Sequence, residues 1–117
     1  MNELKTEILG VLISLIELTD LVIVVRGGMR ELPPPGTPFS GAVGKTLEDA
    51  AAYVPHGMIR FTTIGAILAG GGSVTLKPEV TRSGNINERH VDVIEGSRPS
   101  TFSEVMPNPI PKAGRFQ

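Results

Sequence analysis

The chain has no cysteine and no tryptophan, a single tyrosine and only two histidines among its 117 residues. Without thiols, disulfide frameworks, thiolate nucleophiles and cysteine-ligated zinc are all excluded. His56 and His90 lie far apart in the sequence. A histidine zinc site would need carboxylates drawn from elsewhere, and neither a metal nor a cofactor is expected. An excess of one charge is also missing: eleven Lys and Arg stand against twelve Asp and Glu. Such a chain lacks the basic surface of a non-specific nucleic-acid binder, although a local cationic site inside it is compatible with nucleic-acid chemistry. Glycine and proline, by contrast, are abundant at fourteen and ten residues. Together with the shortage of aromatics they describe a loop-rich fold around an aliphatic core. This length predicts one domain over 1–117 with one modest core.

The longest apolar run, Ile8 to Val25, is long enough to raise the question of a membrane span. Glu17 and Asp20 interrupt it, and a charge near the middle of a span costs roughly 2.5 to 3.5 kcal/mol. A cleaved signal peptide also fits poorly, because the residues before Ile8 hold two glutamates against one lysine. Glu3, Glu7, Gly10, Ser14 and Glu17 follow spacings of three and four, which predicts a helix from about Asn2 to Val24 with one narrow wet stripe, or one that turns strand-like in its β-branched tail Val22 to Val25. No stable membrane insertion is expected. Gly27 and Gly28 would stop the helix, giving an apolar helix over 1–28. A helix apolar on so much of its surface needs a cover, and a homodimer through it would supply one.

Residues 29–45 carry Pro33, Pro34, Pro35 and Pro38 and read as an extended connector, neither helix nor central strand. Thr46 has the character of an N-cap, with Glu48 and Asp49 in the first turn of a short helix LEDAAAYV. Beyond Gly57 the apolar period shortens. Strands are expected at Met58–Thr62, Ser73–Glu79 and Asn87–Glu95, with a helical turn at Ile64–Leu68 and an edge strand at most in the Pro107–Lys112 tail. Over 46–117 this is a helix plus an antiparallel sheet. The fold class expected for the whole chain is therefore α+β, with N-terminal helices packed on a small antiparallel sheet of three or four strands.

His90 is the first candidate for chemistry. It opens a strand whose other face is apolar, and an imidazole changes charge near neutral pH. Asp92 projects from the same strand face and would orient it. On its own the same pattern also describes a histidine on a solvated strand face. Arg60 and Thr62 share a strand face, with Thr63 just past its end, and guanidinium beside hydroxyls suits a phosphate. Alone, Arg60 reads equally as a surface arginine. If the Ser73–Glu79 and Asn87–Glu95 strands pair as a hairpin, Arg82 in the turn comes near His90, together with Glu79, Asn87 and Arg89. His90, Arg60, Thr62, Thr63 and Arg82 are thus the catalytic candidates. Glu79, Asn87, Arg89, Asp92 and Lys112 are the substrate-binding candidates. Such a set is what metal-free phosphodiester cleavage uses: a base for the 2′-hydroxyl, an acid for the leaving oxygen, and cations on the phosphorane. The Gly70-Gly71-Gly72-Ser73 run lacks a following lysine and precedes a strand, so it reads as a helix terminator and not a phosphate loop. His56, between Pro55 and Gly57, reads as a turn residue.

The segments GMIRFTTIGAI (57–67), GGGSVTLKPE (70–79), NERHVDVIEG (87–96) and PNPIPKAGRF (107–116) resemble, in pattern and order, the C-terminal toxin modules of bacterial polymorphic toxins of the contact-dependent inhibition and Rhs types. Many of those are ribonucleases of the barnase–EndoU–colicin–RelE-like group. The resemblance implies an antibacterial, metal-independent ribonuclease that acts on tRNA or other RNA and is secreted or delivered into the target-cell cytoplasm as part of a larger effector. It also implies a cognate immunity protein as partner, and it gives the catalytic roles to His90, Arg60, Thr62 or Thr63, and Arg82. Two other functions compete. Arg60 with Ser100, Thr101, Ser103 and Glu104 crudely resembles the elements of an ADP-ribosyltransferase. A non-enzymatic interaction module would instead use the apolar helix as its docking surface.

Overall fold

The computed structural model describes residues 4–8, 11–97, 102 and 108–112, with side chains from residue 16 onward. The first departure from expectation is at the N-terminus, where strands replace the helix. Strands β1 (Leu4–Ile8) and β2 (Val11–Leu15) pair antiparallel, from Leu4 opposite Leu15 to Ile8 opposite Val11. Two residues separate them, the commonest hairpin spacing. The same polar residues that fit a helical stripe also fit a period of two, since Lys5 and Glu7 alternate with Leu4, Thr6 and Ile8. β-Branched side chains are dense in this segment, are held to few χ1 rotamers in a helix and pack well on a pleated surface. They decide for strand. A turn at Asp20 and Leu21, closed by the Val22 amide donating to the Thr19 carbonyl (3.1 Å), then starts β3 (Ile23–Gly27). The helix through which a homodimer was expected is replaced by strands over residues 4–8 and 11–15. Among the described residues no helix is long and apolar enough to cross a membrane.

The connector over 29–45 is a second correction. Its prolines all precede Phe39, so none removes a ladder hydrogen bond, and Phe39–Gly44 forms a central strand, β4. Helix α1 (Leu47–Ala51) follows, capped by Thr46, whose side-chain oxygen accepts from the Asp49 amide at 3.0 Å. Strand β5 (Met58–Thr63) leads directly into helix α2 (Ile64–Ala69), and then come β6 (Ser73–Leu76), β7 (Glu79–Val80), β8 (Ile86–Asn87), β9 (His90–Ile94) and β10 (Ile110–Pro111).

Six of these strands build one antiparallel sheet in the order β10-β5-β3-β4-β9-β6, while β7 and β8 form a separate small hairpin. The fold is therefore mostly sheet: six antiparallel strands with two short helices, not helices on a three- or four-strand sheet. Alternation divides the strands between two faces. Val24, Val43, Val91 and Val93 pack with Ile64, Ile67 and Phe102 on the α2 side. Val25 and Ile59 pack with Ala50 and Ala51 on the α1 side. Helix α1 lies close because β4 ends in Gly44, where a Cβ would collide with the backbone of Ala50.

A candidate active-site groove on the α1 face

One row of residues fixes which candidates share a face. Val25 stands opposite Phe61 on one side and Ala42 on the other, and Ala42 stands opposite His90. His90, Ala42, Val25 and Phe61 therefore lie on the α1 face. Arg60 and Thr62 flank Phe61 and turn to the other face, opposite Arg26 and Val24 respectively. There Arg60 is only 4% exposed and donates from Nη1 to the Arg30 carbonyl at 2.7 Å. Arg26 lies over the Phe39 ring, 4.6 Å from its centroid. Burial, first, and the neighbouring Arg60 guanidinium push the Arg26 pKa down against the opposing pull of Glu95. Its buried Nη1 has no hydrogen-bond partner among the described residues. Arg60 is thus held on the far side of the sheet from His90, whereas Arg26, near the end of β3, is half-buried and also lines the groove that holds His90. The phosphate site expected from His90 with Arg60 and Thr62 does not assemble.

On the α1 face a groove of about 580 Å³ opens between the chain that leaves α1 and the β7–β8 hairpin, floored by Gly27, Ser40 and Gly41. One wall carries Tyr53, Val54, Pro55 and His56, and the other carries Glu79, Val80, Thr81, Arg82 and Asn87, with His90 between them. Both histidines and the only tyrosine of the chain thus line the same depression. Its size falls in the range of ligand clefts.

The state of His90 follows from its partners. Its ring is 7% exposed, and Nδ1 lies 2.8 Å from the Lys77 carbonyl oxygen. A carbonyl only accepts, so Nδ1 carries the proton and the neutral ring keeps its lone pair on Nε2. That nitrogen faces the Glu79 carboxylate, with Oε2 3.6 Å away. The separation is long for a hydrogen bond. His56 is exposed, and its ring lies against the backbone of Gly27 and Gly28. A Cβ on Gly27 would run into His56 Nδ1 and Cγ, so glycine is what lets the imidazole sit down on the end of β3.

The wall that carries Tyr53 is braced from behind. Arg89 donates from Nη1 to Asp49 Oδ2 at 2.7 Å and to the Val43 carbonyl at 3.2 Å, and its guanidinium lies 5.0 Å from the Tyr53 ring centroid. Tyr53 Oη donates to Glu88 Oε1 at 3.3 Å. Burial, then the Glu88 charge, push the Tyr53 phenol pKa up. Burial also works to raise Asp49, but the Arg89 hydrogen bond, the Lys45 amide and both nearby cations outweigh it and hold that carboxyl below its usual range.

Of the ten sequence candidates, the groove gathers His90, Arg82, Glu79 and Asn87. Thr63 is the cap of α2, its side-chain oxygen accepting from the Ala66 amide at 3.1 Å. Arg89 supports Tyr53 and Asp49 from behind. Asp92 pairs with Lys77 at 3.3 Å. Lys112 Nζ donates to the carbonyls of Ala51 and Val54, at 3.2 and 2.8 Å, and so ties down the C-terminal end of α1. Ser100, Thr101, Ser103 and Glu104 lie outside the described residues. Sequence reasoning passed over His56 and Tyr53. Their signal was scarcity, since a chain with two histidines and one tyrosine has all three here. No family model, no curated protein and no solved structure matches the chain.

Proposed function

We propose that the chain is a metal-independent endoribonuclease of the toxin type, and that its active site is the groove on the α1 face. The observation that carries this is the pairing of His90 and Glu79 across from His56. His90 has its lone pair on Nε2, fixed by the Nδ1 hydrogen bond to Lys77, with a carboxylate placed to receive the resulting charge.

In this mechanism His90 Nε2 takes the proton of a ribose 2′-hydroxyl, and Glu79 stabilises the imidazolium that forms. The 2′-oxygen attacks the adjacent phosphorus, and the P–O5′ bond breaks. His56, in its protonated form, gives its proton to the departing 5′-oxygen. Arg82, from the hairpin turn, neutralises charge that builds on the phosphorane oxygens. The products are a 2′,3′-cyclic phosphate and a free 5′-hydroxyl, and a proton moves from one imidazole to the other with no net change.

The toxin part of the proposal rests on the pattern of residues 57–116. It carries with it delivery within a larger effector and an immunity protein that covers the groove. The test is incubation of the purified chain with total bacterial RNA in EDTA. Cleavage with cyclic phosphate ends, lost in His90→Ala, supports the assignment, whereas intact RNA after long incubation with folded protein overturns it. Induced expression in bacteria should arrest growth with the wild type and not with His90→Ala.

A further inference from the structure

The proposed reaction leaves Tyr53 without a part, yet its side chain is held at both its ring and its hydroxyl. It is the only tyrosine of a chain that has no tryptophan. Arg89 covers one face of its ring at 5.0 Å and does not itself line the groove, whereas Tyr53 does. Arg89 in turn is fixed by Asp49 and the Val43 carbonyl, and the phenol is fixed by Glu88. The ring is thus clamped through one face and its hydroxyl, and its remaining surface is turned to the cavity that holds both imidazoles. A phenol used for proton transfer would need its hydroxyl directed to the reacting atoms, but here it is spent on Glu88. What the ring has left to offer is a flat apolar surface beside a phosphate-sized polar site. A guanidinium behind it adds to its preference for a π-stacked partner.

We infer that Tyr53 is a stacking platform for an unpaired nucleobase next to the scissile phosphate, and that the groove therefore takes single-stranded RNA and rejects the duplex. The inference rests on the ribonuclease assignment for the identity of the ligand, but it concerns binding and not the chemical step. A base in a helix has both faces already stacked, so only an unpaired or splayed-out base can use the platform.

The composition makes the test direct, because all tyrosine emission of the intact chain comes from Tyr53 and no tryptophan masks it. A short single-stranded RNA with 2′-fluorine in place of every 2′-hydroxyl binds without being cut. Titrated into the wild-type chain, it should quench Tyr53 emission saturably, in parallel with binding followed by the anisotropy of an end label. The same strand lacking its bases should bind, if at all, without quenching, and the paired duplex should bind several-fold more weakly. Tyr53→Phe should keep the single-strand affinity, while Tyr53→Leu should lose about tenfold or more. A saturated complex with unchanged tyrosine emission overturns the inference, as does a Tyr53→Leu chain with wild-type affinity, or no binding of the single strand at all. The two assignments fail separately. Cleavage of natural RNA without quenching leaves the ribonuclease standing and removes the platform, and quenching without cleavage does the reverse.

Discussion

His90 and Glu79 sit 3.6 Å apart, with the imidazole buried and the carboxylate half-exposed. Solvent screens an ion pair of that kind, so Glu79→Gln should slow cleavage only about two- to fivefold, the kinetic equivalent of roughly 0.5–1 kcal/mol. His90→Ala removes the base itself and should cost on the order of 10²–10⁴ in rate. Initial rates on a defined oligoribonucleotide separate the two. At Gly27 the expectation is different in kind. A methyl group there meets first the ring and then the Cβ of His56, an exposed side chain whose ring can swing away. Gly27→Ala should therefore leave the melting temperature nearly unchanged while it expels His56 from the groove and lowers kcat; equal losses of stability and activity would count against this role. Tyr53 offers a spectroscopic check. Its phenol pKa is raised by burial and by Glu88, so ultraviolet titration should show tyrosinate forming above its ordinary range. The folded state holds that proton more tightly than the unfolded state, and so stability should fall as pH rises through the raised value.

Among the elements, helix α1 decides the shape of the groove, because Tyr53 to His56 continue from its end. It is short and gains little from its own hydrogen bonds. Its position rests on the Thr46 cap, the fit against Gly44, the Arg89–Asp49 pair and the hold of Lys112 on its last carbonyls. Asp49 has a lowered pKa in the folded chain, so its contribution is complete above the ordinary carboxylate range and is lost as pH falls through the lowered value. Urea midpoints should therefore drop between about pH 5 and pH 2, and Asp49→Asn should flatten that part of the profile. The cap and the first-turn acids of α1, the strand and helical turn at 58–69 and the central strand around His90 were all legible in the sequence, because each rests on local chemistry. The strands at 4–15 were not, and the one at 23–27 was legible only as a strand-like β-branched tail of the expected helix. Lys5 and Glu7 alternate at a period of two while Glu7 also fits the three-to-four spacing of the stripe, and the strands 4–8 and 11–15 complete each other as a local hairpin, whereas the partners of 23–27 lie far along the chain. The connector misled for a related reason: four prolines dominate its composition but stop at Pro38, one residue before β4. His90, Glu79, Arg82 and Asn87 could be grouped from one hairpin, whereas His56 and Tyr53 enter through the order of strands in the sheet. Arg60 was lost by parity, one residue away from the correct face.

At the scale of the whole molecule, the six-stranded sheet separates two environments of opposite use. The α2 side is core, closed over by Ile64, Ile67 and Phe102, with the buried Arg60 on the same face. The α1 side is only partly covered by a helix of five residues, and the uncovered part is the groove. Strands β5, β3, β4 and β9 have a neighbour on both sides, so their amides should exchange slowest, while those of the β7–β8 hairpin, outside the sheet, should exchange fast enough to admit a substrate. In the proposed mechanism two imidazoles, His90 as base and His56 as acid, act on one phosphate held between them. The pH dependence of kcat/KM for a single-stranded oligoribonucleotide tests it most directly. A bell-shaped profile whose acid limb disappears in His90→Ala and whose basic limb disappears in His56→Ala is the expected result. A profile of unchanged shape in both variants would contradict it.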